Sequence, residues 1–233
     1  MASEPSTGRP VSYSAQLASG GTSARQVVDA TLEAARPQRN LSWLDVGCGR
    51  GQLLRRIRDE WEPQALYGLD PISWLADDLR ADVTFYEIAA EDADGLPLVD
   101  RVLLATVIEH LEAPWRALRK AAHLVAPGGR IVVSTPNVGS LRSRLQLAAR
   151  GNLAAFRPEH EPHISPALPH VISRILTEEG LVTDPPSFAG GDMIPFVRRA
   201  WPGLVQGLFP VLASKVVVVA AERPAVAVAM PQS

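Results

Sequence analysis

Three glycines at alternate positions follow an apolar run early in the chain. They lie in the segment Asp45-Val46-Gly47-Cys48-Gly49-Arg50-Gly51, between an expected strand and a helix that opens just afterwards. Glycine at such a place lets the backbone turn sharply and lets a ligand approach main-chain N–H groups. The N–H groups at the start of the following helix favour a negative group such as a carboxylate. The spacing G-x-G-x-G is one residue shorter than the dinucleotide fingerprint, which disfavours pyrophosphate, and a glycine-rich turn without a ligand is the alternative.

An aspartate stands at the end of the next apolar run. Asp70 follows the run Ala65 to Leu69 and comes about 20 residues after the glycines, where an acid can bind both ribose hydroxyls of a nucleoside. An aspartate that only caps the turn before Pro71 would account for the local sequence but not for this spacing. The two features together predict a nucleoside site at the carboxyl edge of a sheet, where open α/β folds bind ligands.

The elements that must position these residues alternate between strands and helices. Helical patterns are expected at 23–36, 53–61 and 73–80, and from Pro114 to a stop at Pro127-Gly128-Gly129. Apolar runs predict strands at 41–46, 65–69, 83–88, 101–107 and 131–134, and this alternation is typical of a mainly parallel sheet. Later segments predict a helix at 141–149, a helix that Ser165 and Pro166 open and Gly180 ends, and strands at 181–183 and 215–221.

Bulk properties exclude several classes of protein. The chain has 233 residues, of which 46% are apolar, and a formal net charge of −2, which gives no electrostatic reason to expect nucleic acid. One cysteine excludes an internal disulfide and fits a reducing cytoplasm, and the first residues lack the apolar core of a secretory signal. We therefore expect a cytoplasmic protein with one domain over 23–222, between flexible segments at 1–22 and 223–233.

Four motifs resemble class I S-adenosylmethionine-dependent methyltransferases in order and spacing. They are L-D-V-G-C-G-x-G at 44–51, Y-G-L-D at 67–70, V-I-E-H-L at 107–111 and A-P-G-G-R at 126–130. The nearest group is that of the ubiquinone-biosynthesis O-methyltransferases and their bacterial relatives, and the similarity extends over residues 24–136. The resemblance implies an α/β fold with a Rossmann-like seven-stranded, mostly parallel sheet, flanked by helices and with an antiparallel last strand. It also implies S-adenosylmethionine as the cofactor.

The resemblance also implies which residues hold that cofactor. Asp45 and the glycine loop are expected to hold its methionine part, and Asp70 its ribose. Relatives often carry an Asp-Ala pair after the third strand, whereas this chain has A-A-E-D-A-D-G at 89–95. Either Glu91 or Asp92 takes over the adenine contact, or both are solvated loop acids. The cofactor-binding residues expected are Asp45, Gly47, Cys48, Gly49, Gly51, Asp70, Pro71, Ile72, Glu91, Asp92, Thr106 and Val107.

Residues after the fourth strand are expected beside the reactive methyl group. Histidine has an unperturbed pKa near 6.5, so His110 is the candidate catalytic residue that removes a proton from a hydroxyl or amine acceptor. The alternative is that His110 only shapes the pocket, while alignment of the acceptor with the methyl group does the chemistry.

Small-RNA 3′-terminal methyltransferases resemble the chain in V-I-E-H-L and S-T-P-N and use carboxylate and histidine metal ligands. The candidates for such ligands here are Glu109, His110, His160, Glu161, His163 and His170. That match breaks at Thr106, where those enzymes carry another acid, and we expect no metal.

The last part of the chain is rich in apolar residues. Residues 201–221 approach the length of a membrane span, but Pro202, Pro210 and Lys215 interrupt them, so we expect no transmembrane segment. Five side chains are candidates for an exposed patch that contacts lipid or lipid-linked substrates: Phe196, Trp201, Leu204, Leu208 and Phe209.

These features lead to one functional expectation and its rivals. We expect methyl transfer to a small-molecule acceptor, favouring a hydroxyl of a metabolite, natural product or sugar, with nitrogen and carbon acceptors open. Residues 137–213 are expected to choose the acceptor. The rivals are a non-catalytic cofactor-binding interaction module and an enzyme like the small-RNA methyltransferases. A nicotinamide-dependent enzyme is disfavoured by the glycine spacing. The oligomeric state does not follow from the sequence.

Overall fold

One mixed sheet organises the chain. The computed structural model describes residues 22–157, 163–192 and 203–225. Five parallel strands run in the order β3-β2-β1-β4-β5, and β8 continues the sheet antiparallel to β5. The short strands β6 and β7 both pair with β8 in antiparallel fashion. The strands are β1 (Ser42–Val46), β2 (Ala65–Leu69), β3 (Val83–Tyr86), β4 (Val99–Ala105), β5 (Val125–Pro136), β6 (Val182–Thr183), β7 (Ser187–Gly191) and β8 (Ser214–Glu222).

Helices cover both faces of this sheet because the side chains of each strand alternate between two apolar clusters. Leu44 and Val46 of β1 join the cluster that includes Leu118 and Ile172, whereas Trp43 joins the cluster that includes Ile57. The helices are α1 (Thr22–Ala35), α2 (Gln52–Trp61), α3 (Pro114–His123), α4 (Leu141–Arg150), α5 (Pro169–Glu178), α6 (Gly203–Leu208) and α7 (Pro210–Ala213). Among the described residues, none of these helices is long and apolar enough to cross a membrane.

The fold class expected from the sequence is confirmed, with local differences. Among the described residues the sheet has eight strands rather than seven, because the unpredicted β7 pairs with β8 as the two-residue β6 does. The helix expected over 73–80 is wrong, because only one 3₁₀ turn, Asp77–Leu79, forms there. Pro127 to Gly129 do not end α3, which stops at His123, but lie inside β5.

The helix expected from Ser165 begins later, at Pro169. The Ser165 hydroxyl donates to the Leu111 carbonyl at 2.6 Å, and the Ser165 amide donates to the Glu109 carbonyl at 3.0 Å. These long-range bonds fix Ser165 against residues 109 and 111, and the helix begins only after Leu168, whose backbone is extended.

Candidate functional site

The glycine loop joins the end of β1 to α2 by a turn that only glycine adopts without strain. Gly47 has a φ of 71°, and a Cβ built there would lie 2.6 Å from Cγ2 of Val107. Gly49 has a φ of 51°, but nothing lies within 4 Å of the place of its Cβ. Gly47 is therefore required for packing, whereas Gly49 leaves backbone open to a ligand.

Asp70 closes this loop from the neighbouring strand. The register pairs Val46 with Leu69, which brings Gly47 beside the end of β2. The two carboxylate oxygens of Asp70 accept hydrogen bonds from the amides of Gly49 and Ile72, both at 3.0 Å. Burial raises the pKa of Asp70, and these two bonds partly offset that rise. Asp70, the residue expected to bind the ribose, and the glycine loop thus share one edge of the sheet.

Asp45 is the most electrostatically unusual residue at this edge. Its side chain is buried, and desolvation, with repulsion from Asp70 as a smaller cause, raises its pKa to about 8. No cation among the described residues forms an ion pair with it. A buried carboxylate without a counter-charge is costly. The site therefore favours a ligand that brings positive charge.

The chain makes a strained turn where β4 ends. Thr106 has a φ of 55°, which is rare for a β-branched residue and costs about 1–3 kcal/mol. Its amide donates to the Ser134 carbonyl at 2.9 Å, and the next side chain, Val107, packs on Gly47. This turn therefore places Val107 against the glycine loop and leads into the 3₁₀ turn Ile108–His110.

The two acids of the adenine segment occupy different surroundings. Both lie in the 3₁₀ turn Ala90–Asp92. Asp92 is exposed and accepts a hydrogen bond from Arg116 at 3.0 Å, which makes it part of a surface ion pair. Glu91 is half-buried. Of the two, Glu91 has the environment that better suits a ligand contact.

Two residues of the V-I-E-H-L motif and one histidine from a distant segment converge beyond Val107. Ligand atoms of Glu109, His110 and His163 all lie within 4.8 Å of one another. The rings of His110 and His163 meet edge to face, with centroids 4.7 Å apart. His170 is exposed on α5 and takes no part, and the candidates His160 and Glu161 lie outside the described residues.

Glu109 is fully buried within this cluster. Its Oε2 accepts from the Thr135 hydroxyl at 3.3 Å, and its Oε1 has no hydrogen-bond partner among the described residues. Burial raises the pKa of Glu109 to about 8. Its main-chain carbonyl accepts from the amides of Ile164 and Ser165, which pins the loop that carries His163.

His163 has a defined tautomer when it is neutral. Its Nδ1 lies 2.8 Å from the carbonyl oxygen of Ala155, and a carbonyl only accepts, so Nδ1 carries the proton. Its Nε2 then has a lone pair, with which it can accept a proton or bind a metal ion. No spacing rule links His163 to the V-I-E-H-L motif, so the sequence grouped it with Glu109 and His110 only through the resemblance to the small-RNA methyltransferases.

A cavity of about 310 Å³ opens beside His163 on the side of β8. Its lining mixes small residues with ionisable ones, including Ser140 and Arg142 at the start of α4, Asp192 after β7, and Lys215. Arg142 lies 3.5 Å from Asp192. A cavity of this size is typical of small-molecule sites, whose volumes start at about 300 Å³.

Comparisons with known proteins identify the family of the chain. A family model described as a methyltransferase domain matches residues 21–184. A ubiquinone biosynthesis O-methyltransferase of Rhizobium leguminosarum bv. trifolii is 30% identical over 162 residues, which make up 65% of this chain and 64% of that protein. The chain spans between 40% and 64% of the length of the curated relatives it matches.

Solved structures share the fold at lower identity. The N-methyltransferase NodS of Bradyrhizobium japonicum, in complex with S-adenosyl-L-homocysteine, has a TM-score of 0.61 at 14% identity, covering 92% of this chain and 100% of that one. A methyltransferase in complex with the Haloferax volcanii Trm112 activator has a TM-score of 0.62 at 19% identity, covering 91% and 97%.

Proposed function

We propose that this chain, which belongs to the methyltransferase-domain family and uses S-adenosylmethionine as its cofactor, transfers the cofactor's methyl group to a hydroxyl of a small-molecule acceptor. The observation that carries the choice of acceptor is the pair of histidines beyond Val107. A hydroxyl must lose its proton during methylation, and imidazole is the side chain suited to accept it near neutral pH. The match to ubiquinone biosynthesis O-methyltransferases supports the same choice.

The cofactor fits the charges and the space at the glycine loop. When bound, it supplies an electrophilic methyl group on a positively charged sulfur, and its amino acid part carries an ammonium group. Asp45, buried without a counter-ion, is placed to balance that positive charge. The open backbone at Gly49 accommodates the methionine part, and Asp70 accepts hydrogen bonds from the ribose. Cys48, Gly51, Pro71 and Thr106 complete the turns around it.

We assign the adenine contact to Glu91 rather than Asp92. The surface ion pair with Arg116 engages Asp92, whereas Glu91 is half-buried in the same turn. Comparing Glu91→Gln with Asp92→Asn tests this assignment, since each removes one charge from neighbouring positions. Glu91→Gln should weaken cofactor binding several-fold and Asp92→Asn should not, when both are measured by calorimetry.

His110 is the proposed proton acceptor, with His163 supporting its ring. The edge-to-face contact holds the two imidazoles together, and the loop that carries His163 is pinned by the Glu109 carbonyl. His110→Ala should lower kcat by about 10²–10⁴-fold without changing cofactor affinity. His123→Ala is the matched control, because His123 is an exposed histidine bound to Glu179 on another face.

The same cluster favours a second candidate, a metal-assisted transferase. One carboxylate oxygen of Glu109 lacks a hydrogen-bond partner, and with two imidazoles it forms a donor set suited to a divalent cation. Chelation that abolishes turnover, with recovery on adding a divalent cation, would favour this candidate over our expectation of no metal. His163→Ala should then lose cation binding in calorimetry.

The domain that does this chemistry extends, in our proposal, over residues 23–222. Residues 137–213 choose the acceptor, since they supply α4 and most of the lining of the cavity of about 310 Å³. The proposed flexible ends, 1–22 and 223–233, lie almost entirely outside the described residues. A single cysteine suits the reducing cytoplasm in which we place the protein.

One experiment separates this function from a non-catalytic cofactor-binding module. The protein is incubated with S-adenosylmethionine that carries a labelled methyl group and with matched panels of small hydroxyl, amine and carbon acceptors. Transfer to a hydroxyl that requires His110 supports the proposal, and transfer only to nitrogen or carbon corrects the acceptor. Tight cofactor binding with no transfer across all panels would favour the module.

A further inference from the structure

A group of apolar side chains on α4, α6 and α7 faces solvent. Leu204, Leu208 and Phe209 are 76%, 65% and 57% exposed. Exposed apolar residues are common singly, but a contiguous group marks an interaction site. We define the cap surface as these three residues together with Arg144, Leu145, Leu147, Arg150 and Val211, all of which are exposed.

Hydrogen bonds join the two segments of the cap surface. The side-chain amide of Asn137, just before α4, donates to the carbonyls of Val211 at 2.7 Å and Ser214 at 2.9 Å. A Cβ built on Gly139 would lie 3.8 Å from Val211, and Arg144 donates to the Gly139 carbonyl at 2.9 Å. The start of α4 and the helix α7 are therefore neighbours, and Arg144 and Val211 both approach Gly139.

The same two segments carry only positive charge. Residues 137–157 contain four arginines and no acid, and residues 203–215 contain one lysine and no acid, in a chain whose net charge is −2. Arg144 and Arg150 form no ion pair with a carboxylate among the described residues. By contrast, the exposed Arg80, Arg116 and Arg174 are each paired with an acid. Positive charge is therefore left uncompensated beside exposed leucines.

We propose that the cap surface docks on a membrane that contains anionic lipid. Apolar side chains set among arginines are the pattern of a peripheral membrane contact, in which leucine and phenylalanine enter the interface and arginines meet lipid phosphates. Nucleic acid would use the arginines but leave the leucines in water. A second copy of the chain would oppose like charges. The cavity of about 310 Å³ is lined by Ser140 and Arg142, at the start of the helix that carries Arg144 and Leu145 of the cap surface.

Vesicle flotation tests this docking without requiring catalysis. The full chain is mixed with vesicles of phosphatidylcholine alone or with one quarter phosphatidylglycerol. We expect binding to the anionic vesicles that weakens as salt is raised. Arg144→Gln with Arg150→Gln should reduce partitioning about 5-fold for each arginine lost.

Matched variants separate docking from a general loss of apolar or basic surface. Leu204→Ser with Leu208→Ser and Phe209→Ser should reduce vesicle binding by more than about tenfold, because inserted apolar area is lost. Leu98→Ser with Val182→Ser removes residues 58% and 62% exposed elsewhere and should leave binding unchanged. Arg80→Gln with Arg174→Gln is the matched control for Arg144→Gln with Arg150→Gln, and it should leave vesicle binding unchanged.

Each outcome decides the proposal. Anionic-vesicle binding that only the cap-surface variants lose, with S-adenosylmethionine affinity retained as evidence of folding, supports it. Equal binding to both vesicle types, no binding to either, or equal loss in the control variants overturns it. RNA binding in place of vesicle binding, or self-association through the cap surface in sedimentation, also overturns it.

Discussion

The sheet edge proposed to hold the cofactor and the cap surface are built in opposite ways. At the cofactor edge (residues 45–51, 70–72 and 106–107), positive-φ glycines, buried acids and hydrogen bonds to the main chain fix the position of each group. On the cap surface, helices present leucines and arginines to solvent with few contacts. The cofactor edge is therefore suited to one ligand of defined shape, whereas the cap surface is suited to an extended partner such as a membrane, through charge and apolar area. Substitutions in the two regions should therefore differ in their effects on unfolding free energy and on cofactor affinity.

The largest difference is expected between two glycines of nearly equal φ. Gly47→Ala places a Cβ 2.6 Å from Val107 at a φ of 71°, so it should cost about 3 kcal/mol of unfolding free energy and abolish cofactor binding. Gly151, which ends α4, has a φ of 72° and open space around its Cβ position. Gly151→Ala should cost only about 1 kcal/mol in urea unfolding. Equal losses would mean that φ alone, and not packing on Val107, makes Gly47 necessary.

The buried charge at the cofactor edge should appear as a pH dependence. The pKa of Asp45 is about 8 in the folded chain and 3.8 unfolded, so the folded state holds more protons between those values. Its contribution to stability then falls as pH rises, by about 1.4 kcal/mol per pH unit between about pH 5 and 7. Asp45→Asn should remove that slope and stabilise the ligand-free protein at pH 7, while weakening cofactor binding.

Chemical unfolding across this pH range checks the slope. Asp78→Asn is the control, because the ion pair with Arg55 lowers the pKa of Asp78, and its effect belongs below about pH 4. A wild-type stability that rises from pH 5 to 7 relative to Asp45→Asn would contradict the buried-charge account.

Removal of the ribose acceptor should have the next largest effect. Asp70→Ala loses two charge-assisted hydrogen bonds to the ligand, and we expect affinity for S-adenosylmethionine and its demethylated product to fall well over tenfold. Asp82→Ala, at an exposed acid after the following 3₁₀ turn, should leave affinity unchanged in calorimetry. Retention of full affinity by Asp70→Ala in a folded protein would remove Asp70 from the site.

The smallest effect on folding is expected on the cap surface. Leu204→Ser and Leu208→Ser alter exposed side chains, so each should change unfolding free energy by less than about 0.5 kcal/mol and leave cofactor affinity unchanged. Thermal unfolding with and without cofactor measures both quantities. A loss above about 2 kcal/mol would show that these leucines support the fold rather than face a partner.

Sequence patterns predicted the strands and the glycine loop at the cofactor edge because their geometry is local. The apolar runs that became β1 and β2, the glycines between them and Asp70 all lie within 29 consecutive residues, Ser42 to Asp70. Main-chain rules govern that stretch, since a tight turn requires glycine and parallel strands bring their carboxyl ends together. The helix expected from Ser165 failed for the opposite reason, because bonds to Glu109 and Leu111 compete with helix capping there.

The sequence by itself determined the alternating α/β order, the glycine loop and the acid that closes it, because each depends on residue type and short spacing. Only the tertiary structure decided that His163 meets His110 and Glu109, and that α4 adjoins α7. Those meetings join residues more than 50 positions apart, and no periodicity relates such residues before the chain packs. They depend on the order of strands in the sheet and on the loops that cross its carboxyl edge.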